Sequence, residues 1–594
     1  MNITVDCGVR AERLRHFWTG TGFTPASLLL RSDMRQAMTY VGALPNHGIR
    51  YVRPHYLLDL VSVDRLEDGK PWYDFTILYD ALDVLVSKQL KPVFELMGNP
   101  SGRFTDFCDD GQLHMWKDLI FALARRLIAR YGQDEVEGWY FETWNEPDCE
   151  NWWHQWPANT QAFCNYYDAC AAGLWAAHNP LRLGGPGTCR TLSPMFKAFL
   201  AHCDTGRNVF TGATGVRLDF ISVHEKGARA AEEDLQPDSE GICRRETQIF
   251  EYVREHHPRF AGLEFMNDEC DPQTGWSDPH PWRAGPYYAA IAAKIIAQHH
   301  RQLIDEQACR YALLSNDNAF PGGWGLRTQL ARFGSERQLV ENRFELIKKP
   351  VLNVMALLAL LGERRAALSA ERQGPGDLGA IAALTGDEQV GVLVYHSSDR
   401  VADAGSERVA VSFEQLPFVE AMLVHYRIDE MHCNPYRLWT AMGGPDQPTQ
   451  EQLAQMRRHH EPQVVGPPRR IHCPQRKIAI AFDLPLPAVS LLLLTAKPPA
   501  APPAVTGLRA DRYRGQHDEG QIMLSWTALD SRAVASYEVL CAADEAGPYH
   551  PVSPGGLICS ACLHTPAPPG QTFYKVQAVD YWGRTGPATS LTVP

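Results

Sequence analysis

The chain has 594 residues, several times a typical single-domain length, so its core must be divided among more than one domain. Hydrophobic residues at 45% and charged residues at 21% are ordinary globular proportions and exclude a disordered, collagen-like or coiled-coil chain. A formal charge of -12 argues against a nucleic-acid-binding face, and the apolar runs fall short of the roughly 18 residues a membrane span needs.

Met1 to Cys7 shows no basic stretch followed by an apolar one, so a cytoplasmic protein of bacterial type is expected. The fifteen cysteines, odd in number and without framework spacing, favour the same reducing compartment. From residue 14 to 361, short apolar runs that end in polar residues alternate with helical segments. The candidate strands lie at Phe17 to Phe23, Arg50 to His55, Pro92 to Met97, Trp139 to Glu146, Leu181 to Gly185, Phe220 to His224, Leu263 to Glu269 and Tyr311 to Asp317. Eight strands alternating with helices predict an α/β protein with a (β/α)8 barrel, whose chemistry sits at the strand C-termini. His55, Glu146, His224, Glu269 and Asp317 fall there. Residues 362–497 read as a β-sandwich with a local helix at Glu451 to His459. Lys497 to Pro503 reads as a stiff Pro-rich linker, and residues 498–594 carry the short alternating strands of a fibronectin type III-like module.

Trp144-Asn145-Glu146-Pro147 closes the fourth candidate strand. Desolvation beside Trp144 and Pro147 favours the neutral acid, so Glu146 is expected to have a raised pKa and to protonate a leaving group. Glu269 closes the seventh strand. Two carboxyls across one barrel mouth can flank a glycosidic bond. At about 5 Å apart, one acts as nucleophile and the other as acid/base, with retention of configuration. A lone strand-end glutamate more often caps a helix or pairs with a cation, so the pair carries this reading. No H-E-x-x-H motif, clustered Cys/His pattern, phosphate loop or dinucleotide fingerprint appears, and Cys559-x-x-Cys562 stands alone, so no metal and no cofactor are expected.

Phe141-Glu142-Thr143-Trp144-Asn145-Glu146-Pro147-Asp148 and Asn267-Asp268-Glu269-Cys270-Asp271-Pro272 resemble glycoside hydrolase family 39. Leu183-Gly184-Gly185-Pro186-Gly187 and His224-Glu225-Lys226-Gly227-Ala228-Arg229 extend the resemblance, which covers essentially the whole chain and is strongest to members that release α-L-iduronic acid. It implies a retaining exo-glycosidase acting on terminal α-L-iduronic acid of glycosaminoglycan-like oligosaccharides, with Glu146 as acid/base and Glu269 as nucleophile. It further implies sugar contacts from His55, Asn145, His224, Lys226, Asp317 and Arg327, and a backbone contact near Gly275. Lys226 and Arg327 would supply the cations for a uronate carboxylate. Residues 1–13 would join the sandwich domain. The alternatives are a β-xylosidase of the same family and a carbohydrate-binding protein without turnover. The partner expected is a uronate-containing oligosaccharide, with neither nucleic acid nor membrane. Cys149 to Trp156 and Pro321 to Leu326 depart from the family pattern and bear on the aglycone.

Overall fold

Strand β1 (Asn2–Asp6) does not enter the barrel: it pairs in parallel with Gly405–Glu414 and antiparallel with Ala367–Ala370. Its alternate residues Ile3 and Val5 are buried, which sets its register against the sandwich core. The computed structural model describes the chain apart from residues 10–11, 68–69, 150–159, 229–234, 276, 317, 371–376 and 553–554.

The barrel follows. Its first strands are β2 (Gly20–Phe23) and β3 (Tyr51–Pro54), after which a hairpin of β4 (Ser62–Glu67) and β5 (Lys70–Asp74) is inserted. It continues through β6 (Lys91–Glu95), β7 (Tyr140–Glu142), β8 (Leu183–Thr188), β9 (Phe220–Val223), β10 (Glu264–Asn267) and β11 (Tyr311–Leu314). The strands β2-β3-β6-β7-β8-β9-β10-β11 form one sheet of parallel neighbours. Leu314 N donates to the Phe17 carbonyl (2.8 Å) and Ala319 N to the Gly22 carbonyl (2.9 Å), which closes the ring. The covering helices carry ordinary signals. In Asp110–Tyr131, the Asp109 side chain caps by accepting from Gln112 N, and Leu113, Trp116, Ile120, Leu123 and Leu127 recur at spacings of three and four to form the buried stripe.

Inside the barrel the side chains stack in layers. Val93, Tyr140, Phe220, Met266 and Leu313 form an apolar floor, with Tyr51 packed against it. Strand periodicity of two puts the next layer directly above: Arg53 over Tyr51, Glu95 over Val93, Glu142 over Tyr140 and Asp268 over Met266. That second layer is charged and buried.

In the sandwich, Gln389–His396 and Ala488–Thr495 are buried throughout, because one face meets the sandwich core and the other the barrel helix Pro286–His299. This explains their unbroken apolar sequence. The C-terminal module sets Thr506–Arg514, Gly520–Thr527 and Ala561–His564 against a sheet of His550–Pro551, Val534–Ala542, Thr572–Asp580 and Thr589–Val593. Trp526, Tyr537, Val539, Tyr574 and Val576 fill its core. The Pro-rich segment is not a free spacer. Arg584 Nη2 donates to the carbonyls of Pro498 (2.8 Å) and Ala500 (2.9 Å), and Trp582 Nε1 to that of Thr495 (3.2 Å). The module also docks on the barrel, through a Lys88–Asp511 ion pair (2.9 Å) and a bond from Ser560 N to the Ala43 carbonyl (2.8 Å).

Candidate active site

Arg53 organises the charged layer. Its guanidinium reaches Glu95 (2.6 Å), Glu142 (2.6 Å), Asp268 (3.0 Å) and Glu269 (3.0 Å), all from different barrel strands or their ends except the last two. Its Nη1 also donates to Asn145 Oδ1 (3.2 Å). This fixes the Asn145 amide and leaves its Nδ2, buried and without a protein acceptor among the described residues, as a donor beside Glu146. Burial, with Asp268 and Glu95 close by, pushes Glu142 up to about 8, so it carries a proton at neutral pH. Asp268, held down against its own burial by Arg53 and His224, stays ionised.

Above that layer stand the two glutamates. One carboxylate oxygen each from Glu146 and Glu269, with a ring nitrogen of His224, fall within 4.8 Å of one another. Retaining glycosidases keep their two carboxyl groups at about 5–5.5 Å. Glu146 lies four residues beyond the end of β7, at φ 42°, a left-handed conformation that costs a non-glycine residue about 1–3 kcal/mol. Its N–H donates to the Gly187 carbonyl (3.0 Å). Gly187 itself has φ 58°, and a Cβ there would sit 3.3 Å from Glu142 Oε1 and 3.6 Å from both Arg53 Nη2 and His224 Nε2. The left-handed φ at this position is what favours glycine at the β8 end.

Lys226 joins the pair. Its Nζ lies 2.8 Å from Glu146 Oε1 and 2.8 Å from Glu269 Oε2. Arg245 holds the Lys226 backbone in place, donating to its carbonyl and to that of Gly227 (2.9 Å). Burial raises the pKa of Glu146, but Lys226 and a bond from His224 outweigh it and hold the carboxyl down at about 2. The expectation of a raised pKa from Trp144 and Pro147 is therefore corrected. Trp144 and Glu146 are both buried, yet the cation in contact decides the sign. Glu269 is likewise held well below the carboxylate range, burial being overcome by Lys226, His224 and His55. A nucleophile needs this ionised form.

Both histidines bridge carboxylates. His55 places Nδ1 on Glu95 (2.7 Å) and Nε2 on Glu269 (3.4 Å), while His224 places Nδ1 on Glu146 (3.0 Å) and Nε2 on Asp268 (3.4 Å). Burial lowers each imidazole, but Glu95 beside His55 and Glu269 beside His224 lift them to about 9 and about 10. Both are doubly protonated donors that orient the glutamates. Arg327 pairs with the buried Asp271 (2.9 Å) just past Glu269, close enough for its charge to oppose that of Lys226. Gly275, at φ 85°, is tied to this cluster through Arg283, which donates to its carbonyl (3.0 Å) and approaches Asp271 (3.7 Å). Asp317 lies outside the described residues, as does most of the segment after Cys149. Arg53, Glu95, Glu142 and Asp268 are not among the expected site residues, although each stands two positions beyond a residue of the apolar floor or one packed against it.

The family model for glycosyl hydrolases family 39 matches residues 1–472, and that described as the alpha-L-iduronidase C-terminal domain matches residues 516–594. Alpha-L-iduronidase of Homo sapiens is 38% identical, covering 98% of this chain and 92% of its own. Beta-xylosidase of Caldicellulosiruptor saccharolyticus is 27% identical, covering 77% and 91%. Among solved structures, the bacterial orthologue of human α-L-iduronidase superposes with a TM-score of 0.94 at 41% identity, covering 100% of this chain and 99% of its own. A monomeric β-xylosidase from Caulobacter crescentus CB15 shares the fold, with a TM-score of 0.66 at 22% identity over 84% of this chain and 100% of its own. With the barrel, its two glutamates and these matches together, the chain is a glycoside hydrolase belonging to family 39.

Proposed function

We propose that the chain is a retaining exo-α-L-iduronidase acting on uronate-containing oligosaccharides, with Glu146 as acid/base and Glu269 as nucleophile. The observation that carries this reading is Lys226 in contact with both glutamates and opposed by the charge of Arg327. Lys226 and Arg327 repel each other, and an anion that meets both, such as a uronate carboxylate, relieves that repulsion. The relatives named α-L-iduronidase, matched over nearly the full length, support the same reading.

The charges explain how the acid is loaded. Four basic side chains, Arg53, Lys226, His55 and His224, face the carboxyl groups of Glu95, Asp268, Glu146 and Glu269, while burial favours the proton on Glu142, so cationic and acidic groups meet in equal number. An arriving uronate adds one negative charge and competes for Lys226. Glu146 then loses its strongest stabilising contact and takes up a proton, which restores the balance. Glu269 attacks the anomeric carbon as Glu146 protonates the glycosidic oxygen; the leaving alcohol departs and a glycosyl ester on Glu269 remains. Glu146, now ionised, takes a proton from water, whose oxygen displaces Glu269 and releases the sugar. The Asn145 Nδ2 donor would meet the hydroxyl next to the anomeric carbon, a contact that strengthens in the transition state.

The test is a side-by-side assay on an aryl α-L-iduronide and an aryl β-D-xyloside. Preference for the iduronide is expected. Turnover of the xyloside alone would make the chain a neutral-sugar glycosidase, and turnover of neither would favour binding without catalysis. We also propose that it works inside the cell on short fragments, a reading supported by its fifteen cysteines in no disulfide-like spacing.

A further inference from the structure

Next to the acid/base stand two cysteines that the glycosidase reaction does not use. Asp148 stitches the loop after β7 to the end of β8, accepting from Cys189 N (3.0 Å) and Arg190 N (3.1 Å). A turn in which Cys149 N donates to the Glu146 carbonyl (2.9 Å) brings Cys149 back over the same glutamate. The result is that Cys149 Sγ, Cys189 Sγ and a Glu146 carboxylate oxygen all lie within 4.8 Å of one another. Both cysteines are half-buried, so the cluster is reachable from solvent.

We infer that Cys149, Cys189 and Glu146 form a site for a thiophilic divalent cation of the zinc type, whose occupation switches the enzyme off. Zinc bonds of about 2.0–2.3 Å need only a small contraction of this triangle, with a fourth position left to water. Two sulfur donors select against magnesium and calcium. The surrounding field has the right sign. Glu146 within the triangle and Asp148 beside Cys189 attract a cation, which deprotonates a coordinating thiol outright. The net negative charge of the two thiolates, the carboxylate and the cation is met by Lys226. A metal on the Glu146 oxygen blocks the proton transfers at that residue. This inhibitory consequence rests on the acid/base role of Glu146; the binding itself does not.

The experiment titrates the full chain with Co2+, then Zn2+, alongside Cys149→Ser and Cys189→Ser. One equivalent of Co2+ is expected to give a near-ultraviolet thiolate-to-metal charge-transfer band that Zn2+ displaces and that either serine variant loses. Zn2+ should inhibit turnover of whichever aryl glycoside the enzyme cleaves, with chelator restoring it. Each serine variant should need at least about tenfold more Zn2+ for half-inhibition, and its metal-free turnover confirms that it is folded. No band, a band surviving in both variants (which would place it on other thiols such as Cys243 and Cys270 around His299), or equal inhibition in all three proteins would overturn the assignment. A band without inhibition, in an enzyme whose Glu146→Ala variant shows the acid/base signature, would place the metal on the two thiols alone and overturn the switch.

Discussion

Replacing Lys226 by methionine removes the charge between the two catalytic carboxylates while keeping most of the volume. The lysine is largely shielded, its side chain 15% exposed, and lies 2.8 Å from each partner, so its loss leaves two adjacent carboxylates without their shared cation. Breaking a buried ion pair from one side costs about 3–5 kcal/mol, and this loss of stability is expected at pH 7. The pH dependence should change as well. Glu146 in the native protein is held at about 2 against an ordinary 4.5, mainly by Lys226 working against burial. A depressed carboxyl contributes stability that is complete above its unfolded pKa and is lost as pH falls toward its folded one. The window is therefore pH 4.5 down to 2, and the contribution is about 3 kcal/mol at most. In Lys226→Met that window should flatten, because Glu146 returns toward or above its ordinary value. Glu269 keeps Arg53 and His55 and stays ionised. Urea unfolding of both proteins at pH 7, 4.5 and 3 measures these terms directly. On turnover, kcat/KM for an aryl iduronide should fall about 30- to 5,000-fold, the equivalent of about 2–5 kcal/mol. A variant with native stability at pH 7 and an equally steep acid loss would refute the claim that Lys226 sets the ionisation of Glu146.

Glu269→Ala should abolish release from every substrate, since no glycosyl ester can form; stopped assays with good and poor leaving groups check this. Glu146→Ala should keep measurable activity when the leaving group is good and recover its second step with azide, whereas equal losses without azide rescue would exchange or remove the assigned roles. Arg327→Ala should weaken iduronide hydrolysis by about 2–5 kcal/mol and a neutral xyloside far less; equal losses would assign Arg327 to holding Asp271 and its loop in place. Fractionation of the host should find the activity in the soluble intracellular fraction and thiol titration of the denatured, unreduced chain should find most cysteines free, with activity in the medium counting against an intracellular role.

The barrel strands were legible because each buried parallel strand is a short apolar run with a polar end, a signal that needs no tertiary information. Their ends were less so. The reading carried the fourth strand through Glu146, but the ladder stops at Glu142, and Glu146 sits in a left-handed turn that no propensity announces. The hairpin Ser62–Asp74 was not foreseen either. It begins with Ser62-Val63-Asp64 and lacks the apolar run that marked the other strands, and among the described residues its two strands pair with each other. The Pro-rich segment had the composition of a spacer; what pins it is Arg584, more than eighty residues later in the chain.

The site divides along the same line. Glu146 and Glu269 stood out because a carboxylate at a strand end is a local pattern, and a pair of them states a chemistry. Arg53 did not, since one arginine within Tyr51-Val52-Arg53-Pro54 has no local signature, and its meaning comes from Glu95, Glu142, Asp268 and Glu269 closing around it. Yet a signal was present. In four strands a charged residue stands two positions after a residue of the apolar floor or of its packing: Tyr51 and Arg53, Val93 and Glu95, Tyr140 and Glu142, Met266 and Asp268. A period of two carried from floor to mouth predicts a buried charged layer, and such a layer is tolerable only if opposite signs meet within it. The pKa of Glu146 could not be reached that way. Its neighbours in sequence argue for desolvation, while Lys226, eighty residues on, supplies the larger and opposite effect. The ionisation of a barrel-mouth carboxylate is thus set across strands, and a reading of its flanking residues can give the wrong sign even when it gives the right residue.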